Sequence, residues 1–139
     1  MLNITMLDCE PGFETYFVEC RAAGDLAELM TEDADLLRGI ISLYLNDEKG
    51  MDLSVLRSCH SLEGLHIRNC EGVFDFKDAK TCPRLQVVRM FDCKGDVRLD
   101  GLCDRMETLE AKNCPGLDLS LLASNPRMAV TVTRKPKRH

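Results

Sequence analysis

Of the residue types that carry covalent or metal chemistry, this 139-residue chain holds eight cysteines and three histidines, and Cys59-His60 sets a thiol directly beside an imidazole. A thiolate nucleophile needs a base within hydrogen-bond reach, here His60 or the more distant His66, and adjacency in sequence does not ensure that geometry. Zinc is held by closely spaced ligand pairs, whereas this chain has no Cys-x-x-Cys, and its central cysteines recur at separations of 10 to 12 residues. No GxGxxG, P-loop, HExxH or Gly-x-Ser-x-Gly motif occurs. The expectation is no catalytic residue, no metal and no cofactor. The alternative is a thiol-dependent enzyme or redox-sensing protein using a reactive cysteine.

The cysteines have a structural explanation in their periodicity. One sentence is written four times between Asp52 and Met128: DLSVLRSCHSL, DFKDAKTCPRL, DVRLDGLCDRM and DLSLLASNPRM. The opening Asp recurs at Asp52, Asp75, Asp96 and Asp118, 21 to 23 residues apart. Such a period marks a solenoid in which each copy supplies a strand and a turn or short helix. Cys59, Cys82 and Cys103 form one row of equivalent positions, taken by Asn125 in the last copy, and Cys70, Cys93 and Cys114 form a second. Equivalent positions stack about 5 Å apart at strand spacing. Free, reduced, buried thiols acting as small apolar side chains are expected. Cys20 lies outside both rows and is expected to tolerate Ser.

After each closing Leu or Met the chain reads LEGLHIRNC, LQVVRMFDC and METLEAKNC, all of the form LxxLxLxxC. This resembles the leucine-rich repeat, in the irregular, cysteine-containing form of F-box substrate receptors ("CPRLQVV") and plant immune receptors ("HSLEGLHIRNCEG"). The resemblance covers roughly residues 40 to 133. It implies an α/β solenoid with a short curved parallel sheet, short helices or irregular turns on the convex side, and an N-terminal cap. It also implies that Cys70, Cys93 and Cys114 turn inward where the family often has Asn, with Cys there mainly filling volume.

Length fits one domain, residues 1-133, with regular repeats over 40-133 and a basic tail over 134-139 that has nothing to bury and is expected to be disordered. The formal charge is −5; setting aside Arg134, Lys135, Lys137 and Arg138 leaves −9 on the body, which argues against firm nucleic-acid binding. The first residues, MLNITMLDCEPG, lack the basic and long apolar regions of a secretory leader, and no run is long enough to span a membrane. A cytoplasmic site is expected, and the basic tail allows a nuclear one.

Residues 1-22 read as two extended segments about a Glu10-Pro11-Gly12 turn, one joining the sheet and the other covering its edge. Phe13, Tyr16 and Val18 fit the strand template there. Helical spacing from Gly24 to Arg38 predicts the longest helix, with Thr31 able to cap or restart it and Gly39 to stop it. Asp52 and Asp118 precede short helices as caps, and irregular or 3₁₀ structure is expected in the two middle copies. After Met128 the template slips onto Val130 and Val132, predicting a final strand in altered register.

Alternation along each strand turns the remaining positions outward. The concave face is expected to present Tyr44, Asn46, His66, Arg68, Arg89, Phe91, Glu110 and Lys112, a row with the aromatic and Arg anchors of an interface. The functional expectation is a non-enzymatic protein-protein interaction module that binds a protein or peptide there, as a recognition or adaptor subunit.

Overall fold

The computed structural model describes residues 2–8, 14–99, 106–117 and 129–133. It is an α/β fold whose main sheet is mixed and mostly parallel. Nine strands are described: β1 (Asn3–Asp8), β2 (Thr15–Cys20), β3 (Ile40–Asn46), β4 (Gly64–Arg68), β5 (Phe74–Asp75), β6 (Val87–Phe91), β7 (Val97–Arg98), β8 (Thr108–Lys112) and β9 (Ala129–Thr133). Seven form one sheet in the order β1-β2-β3-β4-β6-β8-β9, with only β1 and β2 antiparallel, while β5 and β7 pair separately. Two short helices, α1 (Asp25–Leu29) and α2 (Ala34–Arg38), precede β3. Among the described residues no helix is long and apolar enough to cross a membrane.

Period-2 alternation builds the core. The β3-β4-β6-β8-β9 ladders place Leu43, Leu65, Val88, Leu109 and Val130 in one row, and Leu45, Ile67, Met90, Ala111 and Val132 in the next. From β3 to β8 these positions are buried. They pack beneath the outer connections, which contribute Leu53, Val55, Leu56, Phe74, Phe76, Ala79 and Val97. Those connections open identically: Asp52 accepts from the Ser54 N–H at 2.9 Å, and Asp75 accepts from that of Lys77 at 3.0 Å. Each Asp heads a 3₁₀ turn, Leu53–Ser58 or Phe76–Thr81. The anticipated contrast between a regular first copy and an irregular second one is absent, because both have the same cap. Asp118, Cys103, Asn125, the Glu10-Pro11-Gly12 turn and the basic tail lie outside the described residues.

Two expectations for the helical stretch are corrected, and the Gly39 stop is found. The single helix over Gly24–Arg38 is two, because Asp33 adopts an extended conformation and its carboxylate accepts from the Leu36 N–H at 2.8 Å, opening α2 anew. Thr31 instead donates its hydroxyl back to the Glu28 carbonyl. Gly39 ends α2 with a right-handed φ of −88°; its lack of a side chain is required by the Glu14 carbonyl, which a Cβ would meet at 2.4 Å.

At the N-terminus, β2 joins the sheet parallel to β3, while β1 pairs antiparallel with β2 and so covers its outer edge. An irregularity between Tyr16 and Phe17 shifts the ladder, so Val18 pairs with Leu43 and Cys20 with Leu45. The inward pair is thus Val18 and Cys20, two residues beyond the template's Tyr16 and Val18. Cys20 is fully buried and its thiol is pushed up to about 12 by burial, then by Asp25, Glu48 and Glu28. Ser at Cys20 is therefore expected to destabilise the fold, since its hydroxyl would be desolvated there. The last strand forms on Val130 and Val132 as expected, with Val130 opposite Leu109 and Val132 opposite Ala111.

Candidate functional site

The side of the sheet opposite the core presents the outward positions in the same ladder. Tyr44, His66, Arg89 and Glu110 are successive partners in one row, and Asn46, Arg68, Phe91 and Lys112 in the next. Tyr44 stacks on His66 with ring centroids 4.2 Å apart and an interplanar angle of 13°, and Phe17 tilts onto the other side of Tyr44 at 4.9 Å. The Arg68 guanidinium lies over the Phe91 ring, 5.4 Å from its centroid. Arg89 pairs with Glu110 at 3.2 Å. Three adjacent rings and, in the next row, a guanidinium-capped fourth thus lie on this face over β2, β3, β4 and β6.

Two of the sequence-predicted site residues differ from expectation in what they offer. Asn46 donates its amide to the Cys20 carbonyl at 3.0 Å, which commits the side chain to the sheet. Phe91 is half-buried, because Arg68 covers it. Phe17 was missed, although alternation with Val18 marks it as outward.

Strand ends are fixed by a second device. Asp47, Asn69, Asp92 and Asn113 all have left-handed backbones, with φ of 62°, 53°, 56° and 57°. Asn and Asp tolerate this conformation better than other side chains. Asn69 donates to the Asp47 carboxylate at 2.8 Å and Asn113 to that of Asp92 at 2.9 Å. Glu19, Arg21, Asn46, Asp47, Arg68, Asn69 and Asp92 line a shallow depression of about 490 Å³ at this end.

The thiol-base pair does not assemble. Cys59 is fully buried, its Sγ donates to the Val55 carbonyl at 3.3 Å, and burial pushes its pKa up to about 12. His60 is exposed, with Nε2 at 2.8 Å from the Arg57 carbonyl, and His66 lies on the open face. In the second row the thiols do more than fill volume: Cys70, Cys93 and Cys114 donate to the carbonyls of Leu45, Ile67 and Met90 in the preceding copy.

Desolvation, followed by the charge of Arg89, holds His66 below its ordinary pKa of 6.5. The unfolded chain therefore takes up this proton at a higher pH than the folded protein. Stability is fully present above about 6.5 and falls as the pH drops from there toward the folded value. Urea denaturation at pH 7.5 and pH 5.5 is expected to show that loss in the wild type, and a smaller loss in His66→Phe, which keeps the stack on Tyr44. Equal losses in both proteins would exclude His66 as their source.

Comparison of the chain with family models, curated proteins and solved structures finds no match.

Proposed function

We propose that the chain is a leucine-rich-repeat solenoid, whose open sheet face is concave, and that it is a non-enzymatic interaction module holding a protein or peptide segment on that face. The repeat reading is supported by the single register of the LxxLxLxxC strands and by thiol donation from each copy to the one before. One observation carries the functional reading: the contiguous Phe17-Tyr44-His66 stack with Arg68 over Phe91 beside it. Rings and guanidinium groups dominate interface energetics, because they bury large areas at little conformational cost. Charges on the face are mixed, Glu19 and Glu110 among Arg68, Arg89 and Lys112, which suits a polypeptide better than a phosphate backbone.

Photo-crosslinking tests the reading. A photoreactive residue at Tyr44 or Lys112 is expected to capture a protein from the native source, with capture competed by unlabelled chain. The same group at Lys77, on an outer turn, is expected to capture none. Competed adducts from Lys77 alone would place binding on the other side of the sheet and overturn the proposal.

A further inference from the structure

The two cysteine rows differ in what surrounds their thiols. Cys59 and Cys82 are fully buried and donate to carbonyls of the outer 3₁₀ turn, Cys59 to Val55 and Cys82 to Leu56. Cys70 and Cys93 are also fully buried, but Cys114 is half-buried.

Cys93 and Cys114 stand side by side just beyond β6 and β8. Before them the ladder pairs Phe91 with Lys112, and the Asp92 N–H donates to the Lys112 carbonyl at 2.8 Å. Beyond them Val97 bridges Leu117. The two segments are therefore held at strand spacing, about 4.8 Å, on both sides of the cysteines, within the roughly 4.4 to 6.8 Å between Cα atoms that a disulfide spans. The Cys114 Sγ reaches the Met90 carbonyl of β6 at 3.3 Å, which lays it across the strand leading into Cys93. The neighbouring Cys93 thiol draws the Cys114 pKa below the ordinary range, and Cys114 raises that of Cys93.

We propose that Cys114 and Cys93 are a hydroperoxide-oxidisable pair, Cys114 supplying the attacking sulfur and Cys93 the resolving thiol, which closes a disulfide between adjacent copies. In the first step the Cys114 thiolate attacks the distal peroxide oxygen; the O–O bond breaks, a sulfenic acid forms and the alcohol leaves after taking up a proton. In the second the Cys93 sulfur attacks the sulfenic sulfur; the S–S bond forms and water leaves with the Cys93 proton. Two thiols lose two electrons in all, and one peroxide is reduced to alcohol and water. The open-face interaction reading plays no part here, so either can fail alone.

Treatment of the full chain with hydrogen peroxide, followed by trypsin without reductant, is expected to yield the peptide 90–94 linked to the peptide 113–127. Cys114→Ser is expected to abolish that link. Cys93→Ser is expected to stop at a Cys114 sulfenic acid that dimedone traps. Without any substitution, brief alkylation of the native protein is expected to label Cys114 roughly tenfold or more faster than Cys20, Cys59, Cys70, Cys82 or Cys93. The proposal is overturned if Cys114 reacts no faster than those five, or if the disulfide recovered joins Cys70 to Cys93.

Discussion

Gly95→Ala is expected to lose about 3 to 5 kcal/mol of stability, a large part of the roughly 5 to 15 kcal/mol of a typical domain. A Cβ at Gly95 would sit 1.8 Å from the Gly72 carbonyl oxygen and 2.9 Å from its carbon, and the Gly95 φ of +128° is one that side chains rarely adopt. The clash is with backbone and has no flexible neighbour to yield. Moving Gly72 away would break the bonds that join these copies, Gly72 N–H to the Lys94 carbonyl at 3.0 Å and Phe74 N–H to that of Asp96 at 2.8 Å. Gly116 stacks on Gly95 in the same way, its Cβ position 1.8 Å from the Gly95 carbonyl oxygen. Gly50 is the control, since a Cβ there meets nothing within 4 Å, and Gly50→Ala is expected to stay within about 0.5 kcal/mol of wild type. Similar urea midpoints for the two variants would mean that the copies are not in backbone contact at this turn.

This glycine row shows where sequence reading reaches and where it stops. The spacing of Gly72, Gly95 and Gly116 marks a recurrent turn, but the need for glycine comes largely from a carbonyl of another copy, a contact invisible in local sequence. Inward rows such as Leu43-Leu65-Val88-Leu109 were legible because strand alternation and the repeat period select the same residues. Outward residues followed as their complement. Tyr44, His66, Arg68, Arg89, Phe91, Glu110 and Lys112 all lie on the open face, although neither the Tyr44-His66 stack nor the Arg68-Phe91 cover is encoded in spacing. Cys20 was misjudged because the irregularity beside Tyr16 moves β2 along the ladder, and nothing within β2 announces it. The split between α1 and α2 turned on one side chain: Asp33 caps better than Thr31, and helical periodicity alone does not weigh that difference.

The open-face account rests most directly on the double variant Arg89→Glu/Phe91→Ala. Arg89 contacts Glu110 through a partly exposed ion pair, a class of interaction that contributes about 0 to 1 kcal/mol. Phe91 is half-buried beneath Arg68, an arrangement contributing a similar amount. The variant is therefore expected to remain folded, with a stability loss of about 1 to 2 kcal/mol. Binding is another matter, since removing an aromatic anchor and reversing a central charge strips two groups of the kind that carry interface energy. Titration of both proteins against the partner recovered by crosslinking is the measurement. An affinity loss of roughly 100-fold or more is expected in a variant that still unfolds cooperatively; unchanged affinity in the folded variant would show that the partner does not bind on this face.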